Sequence, residues 1–149
     1  MVFDRTEWEP IAKIIKESQI TIRNLLERHT QATDHNDERQ ELEIQWFLSN
    51  FRFITKKWNV DILYQLHLHS SITFNELRRH LNDLSSRTLS DCLKQLQENK
   101  LITRKLQDTR PPSVLYSLSE EGKGFVEISM LLIFYLADIK SKKENKKKI

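Results

Sequence analysis

Hydrophobic positions along the chain repeat first with a long helical period and then in shorter, mixed stretches. Between residues 6 and 29, Trp8, Ile11, Ile15, Ile22 and Leu25 fall on a seven-residue repeat, with Ser18 and His29 in the weaker seam positions. That spacing, with charged residues on the other faces, predicts one long amphipathic helix. The polar run from Thr33 to Asp37 interrupts it and supplies capping side chains for a second helix. This second helix, about 37–55, carries Leu42, Trp46, Phe47, Phe51 and Ile54. Two long helices ahead of shorter elements predict an oligomerisation arm rather than a second globular domain.

From Lys56 the elements shorten. Residues 58–68 read as a helix with Trp58, Ile62, Leu63 and Leu66 on one face, broken by the β-prone run 70–74. A short helix over 75–81 and a turn at 82–85 precede a helix over 86–98 that buries Leu89, Leu93 and Leu96. Strands follow at 101–106 and 114–118, joined by the polar connection 107–113, and a last helix runs from about 119 to 140. The expected organisation is therefore an arm (1–55), a compact part (56–118), a C-terminal helix (119–140) and a disordered basic tail (141–149).

Composition narrows the class. Two glycines and three prolines in 149 residues are too few for an all-β fold or a glycine-rich phosphate loop. The single Cys92 excludes an internal disulfide and a cysteine-based zinc cluster. Acidic residues appear at once in the N-terminal stretch, and the longest apolar run (130–137) is far shorter than the roughly 20 residues that span a bilayer. No membrane association is expected, and the expected location is the cytoplasm, at the nucleoid. Net charge is only +3, yet residues 78–110 hold eight basic side chains against four acidic ones, and the last ten residues hold six lysines. Such concentration points to a polyanionic partner where the total alone would not.

The order helix, short strand, helix, turn, helix, strand, basic loop, strand is that of a winged helix-turn-helix. The expected fold is mostly α with a small antiparallel β wing, its long N- and C-terminal helices forming a dimer interface. The major groove of DNA, about 12 Å wide, admits one α-helix, whose outward residues near its N-terminus reach base edges. With the leucines of 86–98 turned inward, Ser86, Arg87, Thr88, Ser90, Asp91, Lys94 and Gln95 remain outside. Arginine can bind guanine O6 and N7 together, and hydroxyls serve bases or phosphates. The candidate DNA-binding set is Arg78, Arg79, Ser86, Arg87, Thr88, Ser90 and Lys94, with Arg104, Lys105 and Arg110 at the wing. Asp91 reads as a helix-surface residue orienting Arg87, one turn earlier.

These residues also resemble a known family. Phe74-Asn75-Glu76-Leu77-Arg78-Arg79 is similar to the F-N-E-L-R-R motif of HxlR-type regulators, a MarR-like branch of winged-helix repressors and activators. Lys57-Trp58 resembles the K-W that opens their first core helix, and residues 84–90 their entry into the recognition helix. Residues 111–122, PPSVLYSLSEEG, look like their wing. The likeness covers roughly 56–136 and implies a DNA-binding dimer joined through its terminal helices. A small apolar or aromatic effector between the winged domain and the dimer helices is implied by the resemblance alone. The chain departs from the pattern where Lys56 and Lys100 stand in place of glycines, and where Asp91 and Cys92 replace polar or basic residues.

Other chemistry is weaker. Cys92 lies at the edge of the apolar face, where core filling outweighs a redox role. His67 and His69 lack a nearby carboxylate or cysteine, so they read as solvated histidines rather than metal ligands. The scattered His29, His35 and His80 support no nucleophile–base pair, so neither an enzyme nor a cofactor is expected. The helix 119–140 is apolar nearly all round and needs cover on two sides. A homodimer follows, with Trp8, Ile11, Ile15, Ile22, Leu25, Leu131, Leu132, Tyr135 and Leu136 at its interface. The leading function is a sequence-specific regulator bound to double-stranded DNA, repressor or activator. The alternatives are an architectural, weakly specific chromatin-type DNA binder and a winged helix that binds only protein.

Overall fold

Buried apolar side chains turn three short helices inward around one core. The computed structural model describes residues 5–33, 37–110 and 112–146. The expected cap at Asp34–Asn36, Pro111 of the wing, the side chain of Ile54 and the last three residues of the basic tail lie outside the described residues. The chain runs α1 (Arg5–Thr33), α2 (Asp37–Thr55), α3 (Lys57–His69), β1 (Ile72–Thr73), α4 (Phe74–His80), α5 (Ser86–Glu98), β2 (Ile102–Gln107), β3 (Ser113–Leu118) and α6 (Glu120–Lys146). The mostly helical winged architecture is thus present. One difference is at the end: α6 continues past Lys140, taking in residues expected to begin the tail.

Two compact units divide the chain, Met1–Trp46 with Ile128–Ile149 in one and Phe47–Glu127 in the other. Both divisions fall inside helices, α2 and α6, and not in the segments between elements. Aromatic packing accounts for this: Phe53 near the end of α2 meets Phe125 in α6 edge-on, centroids 6.4 Å apart, and both lie against the core of the second unit.

That core gathers Ile62, Leu63 and Leu66 from α3, Leu77 from α4, Leu81 and Leu84 from the turn, and Leu89, Leu93 and Leu96 from α5. Ile72, Leu101, Ile102 and Val126 close it. Each fully buried leucine contributes about 1.5–3 kcal/mol relative to exposure, and this shared core joins the helices of the helix-turn-helix. The strands form one antiparallel sheet in the order β1-β3-β2. Ile72 stands opposite Tyr116, and Ile102 opposite Leu118. Within the β-prone run 70–74, Ile72 and Thr73 form the third strand, which ties the start of α4 to the wing.

Helix ends are fixed by side chains. Thr73 Oγ1 accepts from the Glu76 N–H at 3.3 Å, and Glu76 Oε2 accepts from the Thr73 N–H at 2.8 Å, a reciprocal cap on α4. Ser85 Oγ accepts from the Thr88 N–H at 3.1 Å and starts α5. At the other end of α5, Leu101 N–H reaches Leu96 O at 2.9 Å and Lys100 N–H reaches Gln97 O at 2.9 Å. This is a Schellman ending, and Lys100 occupies its left-handed position at φ 60°. The next helix is knotted to the same place. Ser119 Oγ donates to Lys100 O at 2.5 Å and accepts from the Gly122 N–H at 2.9 Å, while Ser119 N–H reaches Leu101 O at 3.1 Å.

In the first unit, Trp8, Ile11, Ile15 and Ser18 are half-buried, and the Trp8 ring meets Phe134 edge-on at 5.4 Å. Ile22 and Leu25, on the same seam further along, are more than half exposed. On α6, Phe134 is buried, Leu131 half-buried, and Leu132, Tyr135 and Leu136 exposed. No helix among the described residues is long and apolar enough to cross a membrane.

Candidate nucleic-acid interface

Helix α5 sorts its side chains by face. Leu89, Cys92, Leu93 and Leu96 are buried, whereas Ser86, Arg87, Thr88, Ser90, Asp91 and Lys94 are exposed and Gln95 is half-buried. A 3.6-residue turn places Arg87, Asp91 and Lys94 on one outer stripe, with Thr88 and Gln95 on one flank and Ser86 and Ser90 on the other. The cap by Ser85 holds the N-terminal turn, and Ser85 and Thr88 hydroxyls lie 2.8 Å apart. Arg87 and Thr88 thus stand on a rigid, exposed helix start. Lys94 lies 3.9 Å from Glu98, an exposed pair worth little. No ion pair joins Asp91 to Arg87 among the described residues, so the orienting role expected for Asp91 is not what the geometry gives.

Helix α4 ends beside this start. Arg78 Nη1 donates to Ser86 Oγ at 3.3 Å, and Arg79 is exposed at the same helix end. The expected backbone-contacting arginines and the expected base-reading helix are therefore brought together on one side of the helix-turn-helix.

The wing separates its two strand cations. Arg104 pairs in register with Tyr116 and Lys105 with Leu115. Successive strand residues point to opposite faces, so Arg104 shares the face of Tyr116, which packs on the core, while Lys105 lies on the other. One phosphate row cannot engage both in the same way. Arg110 is exposed in the connection, which Ser113 Oγ braces by donating to Gln107 Oε1 at 2.9 Å.

Titratable groups support structure here. Burial pushes the Cys92 thiol up, Lys56 pulls the other way and Asp91 adds to the rise. At 9% exposure the thiol is a core filler and a poor nucleophile. The His69 and His80 rings lie 4.7 Å apart, tilted by 31°, His67 stacks with Tyr64 at 6.1 Å, and no group of three metal-ligating side chains forms among the described residues.

Sequence reasoning missed two things. Lys56 Nζ donates to Gln95 Oε1 at 2.6 Å, joining the start of α3 to α5 across 39 positions of sequence. It also passed over the exposure of Ile14, Ile20 and Leu26 on α1 and of Ile44 and Leu48 on α2. Their apolar character was the available signal, but they fall off the seven-residue seam.

The chain matches the model of the family described as HxlR-like helix-turn-helix over residues 53–143. A protein of Fusobacterium mortiferum described as a regulatory protein, MalR, is 36% identical over 80 residues, spanning 54% of this chain and 76% of the relative. The reduced form of the transcriptional regulator YodB from Bacillus subtilis superposes with a TM-score of 0.53 at 26% identity, covering 56% of this chain and 81% of that one. A MarR-family transcriptional regulator from Enterococcus faecalis V583 shares the fold, with a TM-score of 0.61 at 22% identity over 75% of this chain and 96% of that one.

Proposed function

Because the chain belongs to the HxlR-like helix-turn-helix family and is a transcriptional regulator, not an enzyme, we propose that it acts as a homodimer on specific double-stranded DNA sites. In this reading α5 enters the major groove and the wing lies on the backbone or in the minor groove. The observation that carries it is the sorting of α5: one face buries Leu89, Leu93 and Leu96, and the opposite face offers Arg87 next to the capped start, with the hydroxyls of Ser86, Thr88 and Ser90 on its flanks. Arg87 reads a guanine edge, Ser86, Thr88 and Ser90 serve bases or phosphates, and Lys94 adds charge further along. Arg78, Arg79, Arg104, Lys105 and Arg110 position the protein on phosphates.

The dimer follows from uncovered surface. Ile22 and Leu25 on α1 and Leu132 and Leu136 on α6 are each about half exposed in a single chain, and Trp46 on α2 is 71% exposed. Apolar surface of this extent marks a contact site, and a second copy offers the same helices in return. Two recognition helices would then meet half-sites about 34–36 Å apart, one helical turn of DNA.

Selection of bound fragments from genomic DNA, followed by fluorescence anisotropy at fixed salt, tests the reading. Arg87→Ala should cut the preference for the selected site by about 1–3 kcal/mol, the worth of one bidentate base contact. An unchanged ratio of specific to non-specific affinity would refute the docking. A wild-type ratio near one would favour the architectural alternative. Sedimentation of a monomer at micromolar concentration would remove the dimer.

A further inference from the structure

A cleft of about 260 Å³ opens between the start of α3 and one flank of α5, lined by Lys56, Lys57, Trp58, Thr88, Asp91, Cys92 and Gln95. Arg78 guards the other flank of α5 through Ser86. A helix seated in the major groove has a phosphate row on each side, because the two backbones bound the groove. Resting on the reading of α5 as the recognition helix, we propose that Lys56 and Lys57 grip the phosphate row opposite the one that Arg78 faces.

Both lysines are held by neutral partners. Lys56 Nζ donates to Gln95 Oε1 at 2.6 Å, and Lys57 Nζ lies 4.3 Å from the centroid of the Trp58 ring. Neither takes part in an ion pair among the described residues, whereas Lys94 lies 3.9 Å from Glu98. A neutral hydrogen bond and an aromatic face position an ammonium without cancelling it, which lowers the ordering cost of binding. Asp91 is the one acid lining the cleft, against two lysines, so the rim keeps a positive balance. The Lys56 bond also uses one lone pair of Gln95 Oε1 and holds the side-chain amide in place, with its Nε2–H₂ group still available as a donor. Gln95 is thereby held for donation to phosphate oxygens, and it gives up the freedom to turn its amide toward an adenine edge. Lys56 supplies the contact and the restraint together.

The test uses the full-length protein and a 30-base-pair duplex recovered by the genomic selection, with a scrambled duplex beside it. Affinity is measured by anisotropy over a series of salt concentrations. The double variant Lys56→Gln/Lys57→Gln should lose slope in log affinity against log salt, by about 0.9 for each phosphate contact removed. It should weaken both duplexes by a similar factor and keep their ratio. Gln95→Ala should reduce affinity while keeping the slope, since it frees Lys56 without removing charge. Lys123→Gln, which removes a cation paired with Glu120 at the start of α6, should leave the slope unchanged. Circular dichroism establishes that each variant is folded. A wild-type slope in the double variant, or an equal loss in Lys123→Gln, would overturn the proposal. If Arg87→Ala still abolishes discrimination in that case, the recognition reading stands without it. Absence of salt-dependent binding by the wild-type protein would remove both.

Discussion

Replacing Gly122 by alanine perturbs the joint between α5 and α6 at a single atom. A Cβ there would lie 1.9 Å from Leu101 O, 3.0 Å from Leu101 C and 3.3 Å from Leu118 Cδ2, whereas ordinary contact begins near 3.4 Å. The Leu101 carbonyl would have to retreat by about 1.5 Å, on the scale of the overpacking shifts that cost about 1–3 kcal/mol. It cannot do so freely, because it accepts from Ser119 N–H, its own N–H closes α5 on Leu96 O, and Lys100 O accepts from Ser119 Oγ. Losing two of these bonds removes about 1–3 kcal/mol. Alanine returns about 1 kcal/mol of helix propensity. The net loss is on the order of 1–5 kcal/mol. Gly124, two residues on in the same helix, has nothing within 4 Å of a built Cβ, so Gly124→Ala should gain up to about 1 kcal/mol. Urea denaturation followed by far-UV circular dichroism, at one fixed protein concentration, separates the two variants. Equal stability of Gly122→Ala and wild type, or shifts of the same sign in both variants, would refute the reasoning.

Two other outcomes follow from the helix ends. Lys100→Gly should stabilise by about 0.5–1 kcal/mol, since a left-handed lysine is strained and glycine repays part of that gain as unfolded-state entropy; the same urea assay reads it, and a destabilised variant would contradict the left-handed assignment. The Thr73 hydroxyl and then its N–H hold the Glu76 carboxyl below its ordinary value of 4.5, so the charged form is favoured by folding. The resulting stability is present above that ordinary value and fades as pH falls through the lower folded one. Glu76→Gln should flatten this acid limb when unfolding is followed against pH, and an unaltered limb would show that the cap is not its source.

Much of the fold was legible because the short helices carry their core residues at regular spacing. Leu89, Leu93 and Leu96 placed α5 and its outer face together, since burial of one stripe exposes the other. Thr73-Phe74-Asn75-Glu76 spelled out a capping box that periodicity alone passed over. The end of α5 was read correctly although its usual glycine is a lysine, because the leucine stripe stops there. The pairing of Lys56 with Gln95 was not legible, as it depends on how α3 crosses α5 and not on either helix alone. Nor could spacing say what covers Ile22 and Leu25; a repeat tells which residues share a face, and a single chain leaves this one uncovered. The opposed faces of Arg104 and Lys105 were implicit in their adjacency once 101–106 was taken as a strand.

Those two cations have a consequence apart from DNA. With the order β1-β3-β2, strand β2 is the open edge of the sheet, and β1, the other edge, is only two residues long. An unpaired edge of six residues invites strand addition from another molecule, and lysine or arginine along it is the usual deterrent. Beside them Leu106 is 65% exposed. Removing Arg104 and Lys105 together would therefore strip the protection against aggregation from the one long edge, so solubility of the variant has to be followed alongside its binding.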